Sequence, residues 1–475
     1  MKKTVTALLF CACALAQNPS AVAIRNAKIV TVSGPVIAKG TVVVRNGLIE
    51  AVGENVAVPA DALVVEGEGL TVYPGLIDSL STVGQPGAAA AAPPATTGRG
   101  GRGQPAPATP TPTATPTNPL AALAAAISAP TATVARGPED RPQTTSWIKI
   151  ADEVSASDRR IESVRSAGFT TVASFPTRGI FAGQGVVIDL LTGEKPGEMI
   201  VASPIGQYIS VTRSGGFGGG FPSSLMGYIS YIRQLYIDME HYKLVKDAYA
   251  KNPRGMQRPE YDHALEGLID SPRILLPANR AAEIDRMLRF AQELKQPTIL
   301  YGGREGFRPE AIASLKKFNA TVLVSMKWPE KARDTDPDDT DSLRTLETRD
   351  KAAGAPAALK NAGVKFALYS DGLEQPRDLQ RAVKKAIDAG LSREDALRAL
   401  TLSPAEIFNV ADRVGSIEKG KIGNLVVTRG DIFDDRTKVE MILVDGRKYA
   451  PAAETTPMSG RGAPTDEPGN RGMNR

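Results

Sequence analysis

Tyr73-Pro74-Gly75-Leu76-Ile77-Asp78-Ser79-Leu80-Ser81-Thr82 is the stretch from which the fold of this chain is read. An apolar run, Leu70 to Tyr73, meets Pro74-Gly75, where a missing N–H and a missing side chain mark entry into a new element. Leu76-Ile77 then reads as a short buried strand that ends at a carboxylate, Asp78. Upstream of it, Val22 to Val65 carries β patterning. Ile24, Ala27 and Ile29 alternate, Gly40 to Val44 supplies a second strand, and Asn46-Gly47 predicts a tight hairpin turn. The far end mirrors this, with strands over Asn424 to Val427 and Val439 to Val444, the second running into an Asp445-Gly446 turn.

Between the two β-rich ends, strand and helix patterns alternate. Helical spacing over Ser155 to Ala167 leads into Gly168-Phe169-Thr170-Thr171-Val172, and Gln184 to Leu190 reads as another strand. Leu225, Ile229, Ile232, Tyr236 and Met239 recur at the spacing of a core-facing helical stripe over Leu225 to Ala248. Strands are predicted over Ile274 to Leu276, Thr298 to Tyr301, Thr321 to Ser325 and Val364 to Tyr369, with helices between them. Such alternation predicts a parallel sheet, and its length favours a barrel over an open sheet. The expected architecture is therefore α/β: a (β/α)8 TIM barrel over 71–409, with a small β-sandwich-like domain built from both chain ends, 21–70 and 410–450. Residues 85–119 are an Ala/Pro/Thr-rich insert expected to be disordered, as is the Gly/Pro-rich tail 451–475, because neither buries enough apolar surface to offset chain entropy.

The first residues combine Lys2-Lys3, an apolar run from Val5 to Leu15 and Ala14-Leu15-Ala16, the pattern of a signal peptide over 1–16. An exported protein, periplasmic or secreted, is expected. Both cysteines, Cys11 and Cys13, fall in this segment, so a mature chain offers no disulfide framework and no thiolate metal site. No later stretch is long and apolar enough to predict a membrane span. The formal charge of +5 is spread among interleaved acids and reads as a solvated surface. Arg99-Gly100-Gly101-Arg102-Gly103 has no aromatic residues to stack on bases, which argues against nucleic-acid binding.

The Pro-Gly-Leu-Ile-Asp run resembles the amidohydrolase superfamily, in particular its imidazolonepropionase-like branch. Gly168 to Val172 is similar to the superfamily's Gly-Val-Thr-Thr-Val strand. Gly415-Ser416-Ile417-Glu418-Lys419-Gly420-Lys421 and Val444-Asp445-Gly446 resemble its closing signature, with Asn424 where an Asp is usual. The resemblance implies a barrel whose strand ends hold one or two divalent metals, commonly zinc, through four histidines, a strand-eight Asp and sometimes a modified Lys. It implies hydrolysis of non-peptide carbon–nitrogen bonds, in a cyclic amide or a dipeptide-like substrate, by a metal-activated water.

The histidine-x-histidine pair of that family corresponds here to Leu80 and Thr82, and Pro277 stands where another His often precedes Ala-Asn-Arg. With two histidines in the whole chain, His241 and His263, the usual ligand set cannot be assembled. Asp371, in Tyr369-Ser370-Asp371-Gly372, matches the strand-eight Asp and is the one candidate catalytic residue, as general base or metal ligand; its alternative role is to cap the loop that follows. Arg213, Arg304 and Lys327 fall near predicted strand ends and could bind an anionic group or pair with the acidic loop Asp334 to Asp341. That loop lacks the Gly and terminal Glu of a calcium site. The Gly215 to Gly220 run lacks the lysine of a phosphate-binding loop and reads as a lid. Two functional readings follow. One is a hydrolase with a degenerate metal site that uses Asp371. The other is a catalytically inactive homologue, which binds a small molecule or partners an active homologous subunit.

Overall fold

The computed structural model describes residues 21–86, 137–211, 221–331, 340–373, 375–434 and 436–451. The signal-peptide pattern with both cysteines, nearly all of the insert and the tail, Arg213, the glycine run and Asp334 to Asp339 lie outside the described residues.

Among the described residues eighteen strands follow in chain order. The first five are β1 Ala21–Ile29, β2 Ile37–Arg45, β3 Leu48–Gly53, β4 Leu63–Glu66 and β5 Thr71–Pro74. Ten more occupy the middle: β6 Leu76–Ser81, β7 Phe169–Ser174, β8 Phe181–Gln184, β9 Val186–Asp189, β10 Ile200–Ala202, β11 Gln207–Ile209, β12 Ile274–Ala278, β13 Thr298–Gly302, β14 Thr321–Ser325 and β15 Lys365–Tyr369. The last three are β16 Leu425–Arg429, β17 Lys438–Val444 and β18 Arg447–Tyr449.

Both chain ends meet in one eight-stranded sheet, in the order β18-β17-β16-β5-β1-β2-β3 with β4 also on β1. The expected sandwich-like pair of layers is thus a continuous sheet, and β5, read as the start of the barrel, belongs to it. Its apolar face gathers Ile24, Ile29, Val42 and Val72 from the first end with Leu425, Val427 and Leu443 from the last. Neither end has a complete core without the other. The two hairpin turns form as expected: Asn46-Gly47 and Asp445-Gly446 all have positive φ, the geometry that matches strand twist in a two-residue turn.

Gly75 separates this sheet from the middle of the chain. A Cβ there would stand 2.0 Å from Thr170 Oγ1, so only glycine permits β6 to lie against β7. Its N–H donates to Asn424 O at 2.9 Å, joining the two chain ends at the point where the middle begins.

The middle strands form two sheets, β10-β9-β7-β6 and β15-β14-β13-β12-β11-β8. β6 and β7 pair in parallel, as do β11 through β15. The expectation of uniform parallel alternation is corrected at β8 and β9. β9 runs antiparallel to its neighbours β7 and β10, and the edge strand β8 antiparallel to β11. Gly185 divides what the sequence predicts as one strand: Phe175 ring atoms lie 2.3 Å from where its Cβ would be, so the backbone turns around that ring. The outer strands of the two sheets are tied together, Ser79 Oγ donating to Leu368 O at 2.7 Å.

One apolar cluster takes Ile77, Ala173, Ala182, Val187, Val201, Tyr208, Leu275, Ile299, Leu323 and Ala367, a residue from each of the ten strands in the two sheets. A second, larger cluster packs the opposite faces of these strands against the helices, among them Ile284, Met287 and Leu288 of helix Ala281–Leu294. Helix Leu225–Lys251 buries Tyr228, Tyr231, Ile232, Leu235, Tyr236 and Met239, whereas Leu225 is exposed, so the buried face is rotated from the predicted stripe. Among the described residues no helix is long and apolar enough to cross a membrane.

Candidate functional site

Asp371 stands two residues beyond β15, in the left-handed conformation that Asp tolerates better than most residues. Its Oδ2 accepts from Ser325 Oγ at 2.7 Å, and Ser325 is the last residue of the neighbouring β14. Ser325 Oγ in turn accepts from Lys327 N at 3.1 Å. Arg304, two residues beyond β13, places Nη2 3.6 Å from the same carboxylate oxygen. Three adjacent strands, β13, β14 and β15, thus deliver a guanidinium, a hydroxyl and a carboxylate to one point. Asp371 and Arg304, both suggested by sequence, are brought together; the pairing with Ser325 is legible only once the strand order is known.

Beneath them lie three tyrosines that sequence reasoning missed. Tyr208 and Tyr301 stack with ring centroids 5.0 Å apart, and Tyr301 donates its hydroxyl to Ile209 O at 3.0 Å. Tyr369 is buried in the same cluster. All three phenols are pushed up in pKa, by burial first and with the Asp371 carboxylate adding to it. They are neutral at ordinary pH and act as hydrogen-bond donors or as apolar walls. Alternation along β13 and β15 hinted at inward residues, but nothing in the sequence alone showed that these three share a face with Asp371.

The two positions of the missing histidine pair are filled differently. Leu80 is buried among the apolar residues of the cluster shared by the two middle sheets. Thr82 is claimed by Arg160, whose Nη1 donates to Thr82 Oγ1 at 2.9 Å and Nη2 to Thr82 O at 2.7 Å. Asp158 holds that guanidinium at 2.7 Å and also accepts from Gly84 N at 2.9 Å. Burial acts to raise the Asp158 pKa, yet its hydrogen bonds with Arg160 and the backbone hold it below the usual carboxylate range. Pro277 lies within β12, in register with Tyr301.

Among the described residues no three His, Cys, Asp or Glu side chains gather as metal ligands. At the end of β15 a guanidinium stands against Asp371, where it repels a divalent cation, and Thr82 is taken up by a guanidinium that Asp158 neutralises. The residues present do not fit the metal site that the resemblance implies. His241 is exposed on helix Leu225–Lys251. His263 opens helix His263–Ile269 and packs beside Trp147 and Tyr261, with centroid distances of 5.8 and 4.8 Å. Two clefts, of about 490 and 480 Å³, lie elsewhere, and neither is lined by Asp371.

Two further buried carboxylates hold the site's supports in place. Asp78 accepts from Ser370 N at 3.0 Å and from Ser370 Oγ at 2.5 Å, fixing β6 to the residue before Asp371. Asp189 accepts from Thr171 Oγ1 and Asn424 Nδ2, both at 2.8 Å, joining β7 and β9 to the terminal sheet. Burial pushes Asp78 up to about 6 and Asp189 up to about 7, against the opposing hydrogen bonds. A pKa raised in the fold contributes stability that is complete below the unfolded value, near 4, and is lost as pH rises through the folded one. Carboxylates held below the usual range, such as Glu305 and Glu418, have gained their stability by about pH 5.5, so the urea midpoint is expected to fall from there to pH 7.5. Asp189→Asn should flatten the upper part of that decline, and an unchanged slope would disprove the assignment to Asp189.

Comparison with known proteins gives a consistent picture. Residues 278–449 match the model of the amidohydrolase family. Among solved structures, an amidohydrolase from Thermotoga maritima is similar at 26% identity and a TM-score of 0.67, over 91% of this chain and all of that one. A prolidase complexed with N-methylphosphonate-L-proline is similar at 15% identity and a TM-score of 0.51, over 91% of this chain and all of that one. At that identity the second likeness concerns the fold alone. Among curated proteins nothing matches.

Proposed function

We propose that this chain is an amidohydrolase-family protein of the imidazolonepropionase-like branch, its middle strands forming the staves of a (β/α)8 barrel, and that it binds a small molecule at the strand ends without a catalytic metal. The observation that carries this reading is the Arg304 guanidinium beside Asp371, the residue that matches the family's strand-eight Asp, with Thr82 tied up by the Arg160–Asp158 pair. A cation built into the chain takes the place of one bound from solution, and no water-activating centre remains. The barrel reading is supported by the apolar cluster shared by the two middle sheets and by the ties between β6 and β15.

A hydrolase reading has one observation in its favour: Asp371 is about one-third exposed, so its carboxylate is accessible from the strand ends. Elemental analysis of the purified chain, prepared without chelator, separates the two. Less than about 0.1 equivalent of zinc or manganese is expected, with no turnover of cyclic amides or dipeptides upon metal addition. Near-stoichiometric metal that is lost in Asp371→Asn, or turnover abolished by that substitution, would overturn the binding reading.

A further inference from the structure

We infer that the strand-end site selects a small monovalent carboxylate, gripped by Arg304 and Lys327 beside Asp371; this rests on the small-molecule reading above. The inference starts from unspent donors. Among the described residues Arg304 has a single ionic partner, Asp371, at 3.6 Å and beyond hydrogen-bond reach. Its Nε is buried with no hydrogen-bond partner. A guanidinium has five N–H donors, and a carboxylate is the partner whose planar fork matches it. Lys327 is exposed and pairs with no described carboxylate. Parallel pairing of β13 with β14 sends Arg304 and Lys327 out of neighbouring strands at the same end.

The nearby acids do not cancel this charge. Glu305, adjacent to Arg304, is buried and accepts from Arg344 Nη2 at 2.6 Å and from Ala281 N at 2.9 Å. Asp78 is buried under Ser370. Among the described residues Asp371 is the one carboxylate that pairs with Arg304 and none pairs with Lys327, which leaves one net positive charge among these three side chains. One charge suits a carboxylate; a phosphate dianion would meet Asp371 with its second charge uncompensated. Tyr208 and Tyr301, stacked beneath, offer an apolar floor for the carbon part of the ligand.

Titration calorimetry of the full chain tests this, with benzoate and acetate as probes and inorganic phosphate as comparator, at pH 7 and low salt. Benzoate should bind more tightly than acetate, and phosphate at least about tenfold more weakly than benzoate. Arg304→Gln should weaken benzoate about tenfold or more, and Lys327→Gln, at an exposed position that folding does not depend on, by about threefold. Asp371→Asn should tighten it, because a like charge is removed; a merely structural Asp371 would give loss or no change. Absence of carboxylate binding in a metal-free chain would overturn this inference and leave the metal-free reading standing. Phosphate binding ahead of benzoate, or full affinity in a folded Lys327→Gln and Arg304→Gln pair, would overturn it too. Metal found in the chain would instead remove the reading beneath it.

Discussion

Replacing Asn424 by Asp is expected to destabilise the protein by about 3–5 kcal/mol at pH 8, the range seen when a buried charge loses its partner. Both amide groups of Asn424 are in use. Nδ2 donates to Asp189 Oδ1 at 2.8 Å and to Thr171 Oγ1 at 3.1 Å, while Oδ1 accepts from Asp445 N at 2.7 Å. An Asp keeps the last bond and loses the other two. It also sets a second carboxylate at hydrogen-bond distance from Asp189, which is already pushed up to about 7 by burial. Two buried carboxylates that close share one proton, so the folded variant holds protons that its unfolded chain releases near pH 4. The penalty should therefore be small at pH 4 and grow as pH rises toward 8. Asp189→Asn in the same chain should restore much of the loss. Urea melts of the single and double variants at pH 5 and pH 8 read all of this, and a pH-independent penalty would refute it. The same geometry gives Asn424, a departure from the closing signature that this chain resembles, its role: the amide donates to the buried carboxylate at position 189.

Glu305→Ala is expected to cost about 3 kcal/mol, at the low end for a broken buried pair because Arg344 is half exposed. Glu305 accepts from Arg344 Nε and Nη2 at 2.9 and 2.6 Å and from Ala281 N at 2.9 Å, and lies 3.4 Å from Arg308 Nε. Burial acts to raise its pKa, but Arg344 and the Ala281 N–H hold it below the usual range. Arg308 reaches on to Glu347 at 2.7 Å. Helix Leu343–Lys351 buries no side chain of its own, and these two charge contacts attach it to the segment that carries Arg304. Removing Glu305 should therefore speed amide hydrogen exchange across Leu343–Lys351 at least about tenfold while β12 to β15 keep their protection. High salt should produce a weaker version of the same effect. Uniform loss of protection across the molecule would show that this helix is held by something other than charge.

Much of the fold was legible in the sequence because its signals are local. Pro74-Gly75 marks the entry to β6, the two positive-φ turns announce hairpins, and apolar runs of strand length became β12, β13, β14 and β15 within a residue or so. Counting alone removed the histidine-rich metal site, since two histidines cannot supply it. Asp371 and Arg304 could be nominated because each follows a predicted strand. What the sequence could not reveal depends on partners distant along the chain. The antiparallel course of β8 and β9 shows only in their pairing with β11 and β7, and the single terminal sheet in apolar residues some 400 positions apart. The roles of Asp78 and Asp189 were hidden for the same reason: a carboxylate in a strand is unremarkable until Ser370 or Asn424 is folded against it. Composition determined that histidine could not build this site. Tertiary structure decided that guanidiniums stand there, because only strand order and register bring Arg304 to Asp371 and Arg160 to Thr82.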